Sequence, residues 1–141
     1  MRLVAIKAKR LRYAVELSAT GELREENGVV LETPQEWSPE HLLLAALIRC
    51  SLKSFRYHAR GVVEVGSTSG SARTLVTRRN TDRRYAMVKT SVELAVELAR
   101  ELGPVELSDL LEFAERDCFI GSSLTDEPIY RWTVNGRRIG W

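Results

Sequence analysis

Cysteine is scarce in this chain: its 141 residues include only Cys50 and Cys118, 68 positions apart. Neither stands in a Cys-x-x-Cys pair or beside a histidine pair, which excludes a zinc site of ordinary ligand spacing. Two lone thiols form one disulfide or one redox couple, or they are two small buried hydrophobes. Long apolar runs are also missing, and nothing approaches the roughly 18 residues that a membrane-spanning helix needs. The basic N-terminus leads into alternating residues with no apolar core of a signal peptide, so the expectation is a cytoplasmic protein with reduced thiols. Charge of one sign is lacking too. A net charge of +2 with arginines scattered among glutamates is too weak a field to imply nucleic acid. With 44% hydrophobic and 28% charged residues, the chain reads as one globular domain, residues 1–141.

The patterning that is present describes an α+β protein. Strands are expected over Arg2–Lys9 and Leu11–Ala19. In the second, Tyr13, Val15 and Leu17 alternate with small or polar residues. Thr20-Gly21 is a turn, and Asn27-Gly28 joins strands at 22–25 and 29–33 as a hairpin. Ser38-Pro39 starts a helix, because serine caps free N–H groups and proline suits the first helical position. Leucines, Cys50, Ser51 and Ser54 recur along it at three- and four-residue steps, and it should end near Tyr57 or Ala59. Beyond it, Val62–Val65 begins a sheet, 66–71 is expected as a flexible turn and 72–78 as a strand. The arginine-rich run 78–84 reads as a solvated loop. Tyr85–Leu98 alternates without a break and is expected as a strand despite its helix-forming composition. Gly103-Pro104 is a breaker, Ser108 is expected to cap a helix over 109–118, and Gly121 suits a helix C-cap. A strand over 129–134, a turn at Asn135-Gly136 and a short edge strand complete the chain.

Two motifs then carry a resemblance. Pro39-Glu40 opens a Leu/Ala-rich helix with Cys50 ten residues after the glutamate, and an alanine-containing helix ending in Cys118 is followed closely by Ser123-Leu124. In this order, within a strand meander, cysteine helix, strands, second cysteine helix and final strand, the chain resembles the OsmC/Ohr family of osmotically induced and organic hydroperoxide resistance proteins. It departs from the family pattern at Phe119, where proline is usual, and at Ser122, where asparagine is usual. The leucine-rich helix looks closer to the OsmC-like side. The resemblance implies antiparallel sheets around two cysteine-bearing helices in an intertwined homodimer.

It also implies a cofactor-free thiol peroxidase with Cys50 peroxidatic and Cys118 resolving, a hydroperoxide as substrate and a dithiol as reductant. The family's site glutamate corresponds to Glu40. Its site arginine corresponds by position to Arg24, with Arg12 second. The chemistry suits these residue types. A thiol of pKa about 8.5 must become a thiolate to act, a guanidinium favours that form, and a carboxylate can hold the guanidinium in place. Arg49 neighbours Cys50 but points roughly 100° away on a helix, so it reads as a solvated or interface cation.

Glu40 and Cys50 lie about 15 Å apart along one helix at roughly 1.5 Å per residue, beyond a glutamate's reach. If both serve one site, either the helix is interrupted or Glu40 acts on a partner's Cys50 across a twofold axis. His41 and His58 are 17 residues apart, too far to share a metal. Trp37, Trp132 and Trp141 read as core or interface anchors. Two rivals to the peroxidase remain: a non-catalytic dimer of the same fold that binds a small apolar ligand, and a structural dimer with inert cysteines. The separation of the two thiols discriminates them.

Overall fold

Three short strands build the first of two compact units, Met1–Trp37 and Ser38–Trp141, in a computed structural model that describes residues 8–32 and 37–141. Strands β1 (Val15–Leu17), β2 (Leu23–Glu25) and β3 (Val30–Leu31) form an antiparallel sheet in that order. Leu17 pairs with Leu23 and Leu23 with Leu31. The two turns fall at the expected glycines: Gly21 has φ 86° and Gly28 φ 88°, a region where only a residue without Cβ is unstrained. Strand β1 is shorter than the 11–19 alternation suggests. Period-2 patterning prepares an extended chain with two faces, but a ladder also needs a partner, and β2 is three residues long. Most of the strand expected over Arg2–Lys9 lies outside the described residues, and Ala8 and Lys9 are not in a strand.

In the second unit, helix α1 (Pro39–Ala59) begins as the sequence predicts. Ser38 caps it and His41 closes a capping box, its Nδ1 accepting from the Ser38 N–H at 3.0 Å. A stripe of Leu47, Ser51, Ser54 and Phe55 is buried along its length. The serines let a neighbouring helix approach closely: Ser54 Oγ donates to the Ala114 carbonyl of α2 (Pro104–Arg116) at 2.7 Å. Strands β4 (Val65–Arg78), β5 (Tyr85–Leu98), β6 (Ile129–Val134) and β7 (Arg137–Ile139) form the larger sheet in that order. The β5 alternation buries Thr90, Val92, Leu94, Val96 and Leu98 on one face. There they meet Phe55, Leu110, Leu111, Ala114 and Trp132 in one core, with the Phe55 and Trp132 rings 5.4 Å apart.

Five expectations are corrected here. Residues 66–71 are strand, not turn, because β5 pairs with Thr68, Ser69, Gly70 and Ser71 in register, after a shift between Val65 and Thr68. Gly70 allows that fit: a Cβ there would stand 3.0 Å from the Glu93 carbonyl and 3.1 Å from Ile48 of α1. The sheet is not wholly antiparallel, since β5 and β6 run parallel. Helices between those strands carry the chain back to the end from which β5 started, as a parallel pair requires. Helix α2 starts at Pro104 with Gly103 as N-cap, so Gly-Pro opens it and Ser108 is interior. It ends at Arg116, and Cys118 caps a short helix α3 (Phe119–Ser123), so the second cysteine stands between two helices. Gly121 accordingly lies inside α3 and is not a C-cap.

Candidate functional site

Packing of α1 against the α2–α3 junction brings the two cysteines together. Cys50 comes from the middle of α1, half-buried; Cys118 is fully buried, and both are free thiols. Consecutive amides of α3 reach the two sulfurs. The Ile120 N–H donates to Cys50 Sγ at 3.5 Å, and the Gly121 N–H donates to Cys118 Sγ at 3.4 Å. Burial pushes the Cys50 thiol above its usual range. The Ile120 amide opposes that rise, the adjacent Cys118 thiol adds to it, and the Phe119 amide opposes it again. No cation is among these influences.

The surroundings of Cys118 are polar and buried. Ser51 Oγ donates to the Leu47 carbonyl one turn back at 2.7 Å and lies 3.5 Å from Cys118 Sγ. With its one proton committed to Leu47, Ser51 is the acceptor in that contact and the Cys118 thiol the donor. The Tyr130 phenol reaches in from β6, and its hydroxyl, packed toward Cys118 and Ser51, makes no bond of hydrogen-bond geometry. Burial, followed by the neighbouring Cys118, pushes its pKa far above a free tyrosine's. The same hydroxyl occupies the space a Cβ on Gly121 would need, which explains that glycine. Beside this pocket, His58 Nε2 and Asp117 Oδ2 stand 2.6 Å apart, tying the end of α1 to the residue before Cys118. Glu115 is raised by burial, with an opposing bond from Trp132 Nε1 at 3.4 Å.

Of the other expected site residues, only Glu40 shares the unit of this pair. Glu40 is exposed in the first turn of α1. That helix is uninterrupted, so about 15 Å of axis separates Glu40 from the Cys50 of its own chain. Arg24 belongs to the first unit, where its Nε donates to Glu22 Oε1 at 2.8 Å. Arg12 is exposed there, outside the strands. Arg49 is exposed, as expected of a cation beside but not facing Cys50. Among the described residues no cluster of histidine, cysteine and carboxylate side chains could hold a metal, and no helix is long and apolar enough to cross a membrane. Sequence reading missed Tyr130 and the role of Ser51. The only trace of Ser51 was its place in the buried α1 stripe, and Tyr130 was hidden in an ordinary strand alternation.

No protein-family model and no curated protein matches the sequence. Solved structures do. An OsmC-like protein of unknown function from Vibrio cholerae superposes with a TM-score of 0.67 at 16% identity, over 89% of this chain and 100% of the other. An OsmC-like protein from Mycoplasma pneumoniae gives 0.66 at 13% identity, over 91% and 99%. The chain has the OsmC-like fold. An organic hydroperoxide resistance protein from Legionella pneumophila, described as a predicted redox protein, shares it with a TM-score of 0.54 at 17% identity, over 91% and 98%. Within this OsmC-like architecture both cysteines fall in the second unit, on α1 and at the start of α3.

Proposed function

We propose that the chain is a thiol-dependent hydroperoxide reductase acting on organic hydroperoxides in the cytoplasm, where free thiols persist. The observation that carries this reading is the meeting of two free thiols beneath the consecutive Ile120 and Gly121 amides. The Cys50 thiolate attacks the distal peroxide oxygen. An S–O bond forms, the O–O bond breaks, and the departing alkoxide takes a proton to leave as alcohol. The Cys118 sulfur then attacks the Cys50 sulfenic acid, the disulfide forms, and hydroxide leaves as water with the Cys118 proton. A dithiol restores both thiols by exchange. The exposed Phe119 ring beside the pair suits an organic group on the peroxide.

A Cys50 thiol held above its usual range needs a cation before it can serve at neutral pH. Arg24 is the residue we assign to that task, with Glu40 orienting its guanidinium. Because α1 is continuous, Glu40 acts on the Cys50 of a second copy, in a homodimer of the 1–141 domain. The exposed apolar face of β1, Val15 and Leu17 with Tyr13 before them, suits such a dimer.

Mixing variants tests the reading. Cys50→Ser and Glu40→Ala homodimers should each lose activity, the first on the order of a thousandfold, with their folds intact by circular dichroism. An equal mixture after subunit exchange should regain one working site in half the dimers. Peroxide consumption by Cys50→Ser at the wild-type rate would remove the peroxidase assignment, and a mixture that stays inactive would remove the shared site.

A further inference from the structure

Tyr130 is the one residue among those described whose buried side-chain polar atom has no hydrogen-bond partner. An orphaned hydroxyl in a packed interior is costly, and substituting phenylalanine would remove it without changing the ring. Its position gives it a use. Tyr130 shares a face of β6 with the buried Trp132 and Val134 and carries its hydroxyl to Gly121 and the Cys118 sulfur. In the reduced state that sulfur is a poor acceptor. It holds its proton toward Ser51 and already receives the Gly121 N–H. As a thiolate it carries a full charge in a buried pocket and has an open lone pair. The neighbouring phenol is a donor with no other partner.

We propose that Tyr130 is the hydrogen-bond donor for the Cys118 thiolate, its hydroxyl lacking a partner in the resting chain and gaining one as the resolving sulfur ionises to close the disulfide. The proposal rests on the peroxidase reading for its role in turnover, but the hydrogen bond can be measured without peroxide. Tyr130 keeps its own proton throughout. The Cys118 proton leaves by way of the Ser51 side and ends in the water released when the Cys118 sulfur displaces hydroxide from the Cys50 sulfenic acid. The titratable groups around Cys118 are Cys50 from α1 and Tyr130 from β6, and Glu115 from α2 acts on Tyr130. Asp117 is engaged by His58 and Arg116, and α3 carries no titratable group. Tyr130 can donate to a buried anion while keeping its own proton, and its O–H is a stronger donor than the Cys50 S–H.

Two measurements decide it. In Cys50→Ser, Cys118 is the sole cysteine, and the shift of its labelled 13Cβ follows its ionisation with pH. Adding Tyr130→Phe should raise the midpoint by about one to two pH units, the scale of one hydrogen bond to a charged group. Superimposable titrations overturn the proposal. With Cys50 present and one equivalent of cumene hydroperoxide, Tyr130→Phe should form the sulfenic acid at the wild-type rate but close the disulfide about tenfold more slowly at neutral pH, the deficit vanishing as the pH is raised. A deficit constant across pH would mark a packing role only and overturn the proposal, as would no deficit. If the wild-type chain forms no sulfenic acid, the peroxidase reading falls, and the titration still decides whether Tyr130 serves Cys118. The melting temperature of Tyr130→Phe in the reduced state should match or exceed that of wild type, because an unsatisfied group is lost. A marked fall would show the hydroxyl already bonded at rest and would overturn the proposal.

Discussion

The two units of the chain spend their apolar residues in opposite ways. In the helix-and-sheet unit, Leu47, Phe55, Val92, Leu94 and Val96 are at most 1% exposed, and the alternation of β5 is buried on one side as a half-buried strand should be. In the three-stranded unit the same alternation leaves Tyr13 72%, Val15 67% and Leu17 69% exposed. Three strands of three, three and two residues enclose no core of their own. The lesson is that one sequence pattern encodes a folding core in one place and an exposed apolar face in the other.

The strongest test sets one substitution in each unit side by side. Phe55→Ala empties a fully buried site against Trp132 and should cost about 3–5 kcal/mol in denaturant unfolding. Leu17→Asp removes an apolar group from an exposed strand and should change chain stability by no more than about 0.5 kcal/mol at dilute, monomeric concentration. Sedimentation at higher concentration should instead show weakened self-association. Equal losses of stability from the two variants would erase the contrast.

A smaller effect is expected where the core meets the thiols. Gly121→Ala drives a methyl group into the Tyr130 hydroxyl and should cost about 1–3 kcal/mol, as overpacking does. Combined with Tyr130→Phe, most of that cost should disappear, since the clashing oxygen is gone. A double variant as unstable as Gly121→Ala alone would show that the collision is with something else.

What the sequence revealed, and what it hid, follows from the range of the interactions involved. The bounds of α1 were legible because Ser38, Pro39 and the serine–leucine stripe act within one helix, and β5 was legible because its alternation is local. The 66–71 strand was not, because Gly70 there fits against Ile48 and Glu93, far away in sequence. The parallel β5–β6 pairing was hidden for the same reason: it depends on where two helices deliver the chain. Both cysteines were found from their motifs, but the setting of Cys118 between α2 and α3 turned on whether Gly103-Pro104 breaks a helix or begins one. Tyr130 was invisible, since nothing in a strand pattern distinguishes a phenol that reaches a sulfur from one that merely packs.

The weakest expected effect compares the ion pairs of the two units. Arg24 and Glu22 pair on the small sheet with side chains 53% and 41% exposed, whereas Asp117, 38% exposed, meets a His58 side chain only 17% exposed. The Arg116 guanidinium, bonded to both carboxylate oxygens at 3.0 and 2.9 Å, lowers the Asp117 pKa; slight burial opposes this, and His58 lowers it further. A carboxylate whose pKa is lower folded than unfolded stabilises the fold above the unfolded value, about 3.9, and loses that contribution as the pH falls through the folded value. Asp117→Asn should therefore lower the melting temperature by about 1–2 °C at neutral pH, where solvent screens so exposed a pair, and by progressively less below about pH 4. Added salt should shrink the neutral-pH difference. Glu22→Gln is the matched control in the first unit, and its effect on the melting temperature of the helix-and-sheet unit should be smaller still. A neutral-pH effect of Asp117→Asn that persists unchanged to pH 2 would mean that the side chain acts through shape at the Cys118 junction and that its charge contributes nothing.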